Sequence, residues 1–291
     1  MFLASRIDDA DRTFCAGPPD VNLGRSLTRP HDHVPLSIRV VPVGCAAHLL
    51  YNGRNQTMED TMLTVLVTGA SRGIGLALTE SLANRGDVVI ATCRDPDSAT
   101  ELQALAARDD IDIDIVRMDV TDFASIEAAR EEIGDIAIDV VVNNAGVIGP
   151  ERQSTLDMDF DGWRACFEVN TLAPLKVAQV FLSNLRLAEH GRILTVSSRM
   201  GSLSYALSDK IAYRSSKAAV NKVMQGLATD LKGEGIAVSV CHPGWVKTGM
   251  GGQGADMPAD RSAAGLTRII DRMRVADSPR FYNYDGSELA W

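Results

Sequence analysis

The stretch Leu63-Thr64-Val65-Leu66-Val67-Thr68-Gly69-Ala70-Ser71-Arg72-Gly73-Ile74-Gly75-Leu76-Ala77-Leu78 decides the fold. Its first five residues, Leu63–Val67, form an apolar run of the length of a buried strand. Glycines at 69, 73 and 75 follow, and a helix is expected over Gly75–Asn84. Strand, glycine turn and helix in immediate succession present backbone N–H groups and a positive dipole end to an anion. Three glycines alone are a common turn signal. Between a first strand and a first helix they predict a dinucleotide site built from Gly69, Ser71, Arg72, Gly73, Ile74 and Gly75.

Working outward, further apolar runs at Val88–Cys93, Ile113–Met118, Asp139–Asn143, Arg192–Ser197 and Ala237–His242 read as buried strands. They alternate with amphipathic helical stretches such as Phe123–Ile133. This alternation predicts an α/β fold: one Rossmann-type, doubly wound parallel sheet with helices on both faces, within residues 58–291. Residues 1–57 differ, holding five of the 11 prolines, six arginines and no lysine, without sustained periodicity. They are expected to be a disordered N-terminal extension, or to stem from a start assigned upstream of Met58 or Met62. The sequon Asn55-Gln56-Thr57 lacks a secretory route, and His31-Asp32-His33 lacks further ligands, so no metal site is expected.

Composition narrows the function. The chain has 291 residues, of which 45% are hydrophobic and 23% charged, which argues against disorder throughout. Its net charge is −9; residues 1–57 carry six Arg against five Asp, which leaves −10 on residues 58–291. Neither nucleic acid nor an anionic membrane is an expected partner of so acidic a chain. No stretch approaches the ~20 apolar residues of a membrane span. Five scattered cysteines without a CxxC pair, and Asp8, Asp9 and Asp11 where a signal peptide would build its apolar region, fit a cytoplasmic protein with reduced thiols.

Tyr213-Arg214-Ser215-Ser216-Lys217 is the sharpest chemical signal. Residues at i and i+4 share a helix face, so a phenol and an ammonium can enter one pocket. A neighbouring ammonium is expected to lower the phenol pKa. Tyr205 lacks such a partner, since Asp209 stands four residues on. Ser197 and Ser198 end the fifth strand, and either hydroxyl is a candidate donor to a substrate carbonyl.

Taken in order, these motifs resemble the short-chain dehydrogenase/reductase family over about residues 62–291. Thr68–Gly75 resembles its TGxxxGxG motif, and Asn143-Asn144-Ala145-Gly146 its NNAG motif at the cofactor site. Asp119-Val120 resembles the adenine-holding pair; Pro243-Gly244 with Val246 and Thr248 resembles the segment that fixes the carboxamide and diphosphate. The resemblance implies a catalytic set of Ser198, Tyr213, Lys217 and Asn170, with Ser197 set aside. Tyr213 would give the proton, Lys217 would bind the nicotinamide ribose, and Asn170, mid-helix, would organise a water relay to Lys217. Trp245 to about Leu266 would be a mobile substrate lid, and the helices carrying Asn170 and Tyr213 would build a homodimer or homotetramer.

Ser198–Ser202, the 15-position gap to Tyr213, Trp245–Gly252 and the ending Asp285–Trp291 are similar to the Sniffer/C-factor-like carbonyl reductases. This implies NADPH-dependent reduction of a ketone or aldehyde to an alcohol, a small-molecule carbonyl/alcohol substrate, or a link to cell signalling. The residues speak on the cofactor too. An NAD enzyme usually ends its second strand on Asp or Glu, whereas here Cys93 is followed by Arg94, with Arg72 in the glycine turn. Guanidinium groups favour NADP(H) through its phosphate, and Asp95 close by keeps NAD(H) possible. Two alternatives stay open, a dinucleotide-binding signalling or interaction protein with weak reductase activity, and an NAD-dependent alcohol dehydrogenase. His242, Cys166 and Cys241 read as packing residues, and His190-Gly191 as a helix stop.

Overall fold

The computed structural model describes residues 62–252 and 254–291; the expectations for residues 1–57 lie outside them. Among the described residues, seven strands form one sheet: β1 (Thr64–Thr68), β2 (Val88–Cys93), β3 (Asp112–Arg117), β4 (Val140–Asn143), β5 (Arg192–Val196), β6 (Ala237–His242) and β7 (Phe281–Asn283). All neighbours pair in parallel, in the order β3-β2-β1-β4-β5-β6-β7. The six expected strands are found to within one residue at each end. β7 was not expected, because three residues are too short to carry a period of two.

Eight α-helices among the described residues connect them: α1 (Gly73–Asn84), α2 (Thr100–Ala106), α3 (Phe123–Ile133), α4 (Phe160–Phe167), α5 (Ala173–Val180), α6 (Leu182–Leu187), α7 (Ile211–Leu231) and α8 (Ala259–Arg272). The central strands are apolar on both faces, and successive residues serve different cores. Val65, Val67, Val140 and Val142 join Leu78 and Leu82 of α1 and Leu266, Ile269 and Ile270 of α8. Leu66, Val141, Ile193 and Val240 join Ile126 of α3, Val177 of α5 and Val220 and Met224 of α7. Each such side chain removed from water contributes about 1.5–3 kcal/mol. Both layers of helices are thereby fastened to one sheet.

Two expectations need correction. The segment Trp245–Leu266 is not all loop, since α8 starts at Ala259 and buries Leu266 in the core. Gly265 reads as a sign of mobility, yet a Cβ there would collide with the Tyr284 carbonyl, so it is a packing glycine. Similarly, the helix before β5 ends at Leu187, ahead of His190-Gly191. Gly191 serves a close approach instead: a Cβ would stand 2.8 Å from the Leu185 carbonyl oxygen.

The strand order reverses between β1 and β4, and this fixes where a ligand can bind. Chains leaving the C-terminal ends of these two strands diverge and open a crevice at the switch point. The glycine turn follows β1 and the NNAG segment follows β4.

Candidate active site

At the end of β1 the chain turns through Gly69, whose φ of +67° lies in the left-handed region. A Cβ on Gly75 would collide with the Gly69 carbonyl oxygen and Asn144 Nδ2, so only glycine lets α1 start this close to the turn. Asn144 locks the arrangement. Its Nδ2 donates to the carbonyls of Thr68 (2.9 Å) and Gly69 (3.1 Å). Thr68 Oγ1 in turn accepts from the Asn144 and Ala145 N–H groups, both at 3.0 Å. Asn143 braces the same strand end, donating to the Pro174 carbonyl and Thr195 Oγ1 at 3.2 Å each.

This cradle fits a dinucleotide diphosphate. The residue capping α1, Arg72, is extended, no side chain caps the helix, and its first turn carries no acid. Its leading N–H groups are therefore available to an anion. Ser71 and Ile74 are half-buried in the turn, and a Cβ on Gly73 would stand 3.2 Å from Thr248 Cγ2. The segment after β6 thus reaches the glycine turn. It is folded on itself: Val246 is buried and bridges to Met257, and Gly251 N–H donates to Thr248 Oγ1 at 3.1 Å. Pro243, ahead of Gly244 (φ +90°), accepts from Ser262 Oγ at 2.7 Å, which ties the segment to α8.

The remaining cofactor candidates sit on the same edge. Val120 is buried beyond β3, and Asp119 Oδ1 accepts from Thr121 N–H and Oγ1 at 2.9 and 2.8 Å. Arg94, just past β2, and Arg72 are both exposed, and neither has an ion pair among the described residues. Cys93 ends β2 where a ribose-binding carboxylate would stand.

Tyr213 and Lys217 both lie on α7 and are buried there, as the i, i+4 spacing predicts. The Tyr213 phenol has the Ser198 side chain as a polar neighbour, which acts to lower its pKa. Ser198 also accepts from Met200 N–H at 3.1 Å, which caps the short 3₁₀ turn Arg199–Gly201. Ser197 is occupied elsewhere, donating to Asn221 Oδ1 at 2.5 Å inside the core. The two serines thus have different surroundings, Ser197 in the core and Ser198 at the turn before α7. Gly201 presses this turn onto α7, since a Cβ there would stand 2.8 Å from Lys217 Cβ.

One electrostatic expectation is reversed. Burial pushes the Tyr213 phenol up to about 12, partly opposed by the Ser198 side chain. Burial pushes Lys217 down to about 8. The ammonium stands 5.8 Å from the Tyr213 ring centroid and donates to the Val196 carbonyl at 2.8 Å. Loss of water is the largest cause of both shifts, because both groups are interior. His242 is pushed down to about 4 by burial and by the Arg199 charge, and its Nδ1 is buried without a partner.

Asn170 is not in the middle of an α-helix but in a π-helical turn, Glu168–Leu172, between α4 and α5. Such wide turns recur at functional sites because they re-aim a side chain. Asn170 is fully buried, and its amide clasps the backbone of Val147: Oδ1 accepts from N–H at 2.9 Å and Nδ2 donates to the carbonyl at 2.8 Å. Nδ2 also donates to Ser216 Oγ (3.0 Å) and meets Cys166 Sγ (3.3 Å). Gly146 lets this amide and Lys217 approach, since a Cβ there would stand 3.3 Å from Asn170 Oδ1 and 3.6 Å from Lys217 Nζ. Sequence reasoning missed Gln153, whose Oε1 accepts from the Tyr213 N–H at 3.1 Å. Its distance from any motif gives no local signal.

No helix among the described residues is long and apolar enough to cross a membrane. The family model for short chain dehydrogenase matches residues 63–258. The C-signal protein of Myxococcus xanthus is 42% identical over 156 residues, covering 53% of this chain and 93% of that protein. The crystal structure of NADPH-bound carbonyl reductase from chicken fatty liver is 34% identical, with a TM-score of 0.74 over 79% of this chain and 99% of that one. Carbonyl reductase Sniffer of D. melanogaster is 30% identical, also with a TM-score of 0.74, over 79% of this chain and 100% of that one. With a family match across both the switch-point cradle and the serine–tyrosine–lysine cluster, this chain is a member of the short-chain dehydrogenase/reductase family and an oxidoreductase.

Proposed function

We propose that the chain reduces a ketone or aldehyde to an alcohol with NADPH. The observation that carries this reading is the buried Tyr213–Lys217 pair on α7, with the Lys217 ammonium 5.8 Å from the Tyr213 ring centroid and the Ser198 side chain beside the phenol. The bound cofactor supplies the hydride for the carbonyl carbon. Tyr213 gives its proton to the carbonyl oxygen, and Ser198 donates a hydrogen bond to the same atom as negative charge develops. A donor of this kind is worth about 3 kcal/mol in the transition state. A phenol held at about 12 keeps its proton at neutral pH, which suits reduction better than alcohol oxidation. Lys217 would hold the nicotinamide ribose, and Asn170 fixes the Val147 backbone beside it.

Arg72 and Arg94 would meet the 2′-phosphate, and the NADPH in the chicken carbonyl reductase supports this preference. The test is a kinetic screen of aldehydes, ketones and diketones with NADPH, run beside Tyr213→Phe and a competing titration with NADH. Turnover that Tyr213→Phe abolishes while NADPH still binds supports the reading; a Tyr213→Phe protein that turns over, or tighter NADH binding, refutes the corresponding half. The likeness to C-signal favours a second reading, a dinucleotide-binding signalling protein with weak reductase activity. A silent screen in a protein that binds NADPH would select it.

A further inference from the structure

The helix that carries Tyr213 and Lys217 begins abruptly. Lys210, its capping residue, is left-handed at φ +51° and supplies no side-chain cap, so the first N–H groups of α7 need acceptors from elsewhere. One residue provides them from a distant loop. Gln153 accepts the Ile211 N–H on its main-chain oxygen at 2.9 Å and the Tyr213 N–H on its side-chain Oε1 at 3.1 Å. Its own Nε2 donates to the carbonyls of Ile148 (3.1 Å) and Pro150 (2.6 Å), and the residue is 8% exposed. The loop that Gln153 ends is held at its start by Asn170, through the Val147 backbone. Residues 147–153 therefore bridge the two amides that flank the site.

We infer that Gln153 is a positioning residue that sets the place of the Tyr213 hydroxyl by capping the helix from outside. An N-cap side chain normally accepts from the second or third helical N–H, and Tyr213 is the third residue of α7. The same bond that completes the helix end thus fixes the backbone from which the phenol projects toward Ser198. Removing the acceptor leaves a buried N–H without a partner and frees the first turn to shift. Small displacements at a proton donor are costly to rate and do not touch the dinucleotide cradle, which is built on β1, β4 and Asn144.

The inference rests on the reading of Tyr213 as proton donor, and one set of variants separates the two. In Gln153→Met, which keeps length but loses the bonds, kcat with NADPH and a panel of aldehydes and ketones is expected to fall about tenfold or more, with NADPH affinity unchanged. Gln153→Glu keeps the acceptor for Tyr213 but turns a carboxylate toward two carbonyls. Its kcat is expected to recover toward wild type as pH falls and the carboxyl takes up a proton to donate. Full kcat in Gln153→Met, with Tyr213→Phe inactive, overturns the positioning role alone. Full kcat in Tyr213→Phe overturns the reading beneath it. Should Gln153→Met fail to fold, amide hydrogen exchange in the wild-type protein decides. The Tyr213 amide is expected to be protected, and exchange at the rate of an unbonded helix-end amide overturns the inference.

Discussion

The segments that follow β1 and β4 leave the same sheet edge as those that follow β5 and β6, yet they are held by different chemistry. On the first side the bonds belong to neutral amides and a hydroxyl: Asn144 to Thr68 and Gly69, Thr68 to Asn144 and Ala145, Asn170 to Val147. None of these groups titrates in the working range. On the second side the strand ends lead to buried ionisable groups whose proton affinities burial shifts, namely His242, Tyr213 and Lys217. Large apolar side chains face solvent on both sides, at Val147 and Leu156 on the first and at Leu203, Leu207 and Trp245 on the second. A rigid, pH-indifferent cradle thus stands beside an adaptable, pH-sensitive reaction wall. A shared cofactor needs the first property, and a proton-transfer step needs the second.

The largest effect that tests this contrast is expected at Gly75. Gly75→Ala would drive its methyl into the Gly69 carbonyl and Asn144 Nδ2, both fixed by their own bonds. Overpacking against atoms that cannot yield costs about 3 kcal/mol, and more where backbone must move. Denaturant unfolding should show that loss, and dinucleotide binding should vanish with it. A Gly75→Ala protein with wild-type stability and NADPH affinity would show that the cradle is soft, and the contrast would fail on its rigid side.

An intermediate effect is expected from pH. His242 takes up a proton near 6.5 when unfolded but only near 4 when folded. Between those values the unfolded chain holds more protons, so stability declines as pH falls from 6.5 to 4. His242→Asn removes that linkage. The stability lost between pH 6.5 and 4 should be about 2 kcal/mol smaller in the variant than in the wild type, after allowance for partial exposure. Equal losses in both proteins would mean that the substrate side carries no such sensitivity.

The same division governs what the sequence reveals. Gly69, Gly73, Gly75 and the two asparagines of NNAG are legible because turning backbone tightly against backbone excludes other residues at fixed offsets. Tyr213 and Lys217 are legible as a pair because i, i+4 is a property of the helix alone. Their pKa values are not, since burial by the rest of the fold, which spacing does not show, is the largest cause of both shifts. Asn170 could be placed near the site but not in its π turn, and its fastening of Val147 depends on a contact 23 residues away. Gln153 and β7 leave no local pattern at all. Gly265 misleads, because close helix packing and loop mobility use the same residue.

The smallest effect is the most discriminating for the substrate side. Leu203 is 86% exposed in the segment between the Arg199–Gly201 turn and α7, and its side chain has almost no burial to lose. Its backbone is nevertheless anchored, with the N–H donating to the Trp291 carbonyl at 3.3 Å next to Ser202 Oγ, which donates to the same oxygen at 3.2 Å. Leu203→Ser keeps those backbone bonds and changes only the exposed apolar surface of this segment. Stability should stay within about 0.5 kcal/mol of wild type, as for an exposed substitution away from special features. If that surface receives the substrate, KM for bulky apolar carbonyl compounds rises while KM for small aldehydes and the NADPH affinity stay put, because a buried apolar contact is gained only by the larger ligand. A uniform rise in KM, or a fall in melting temperature of several degrees, would instead make Leu203 part of the scaffold, and the adaptable side of the comparison would shrink to Leu207 and Trp245.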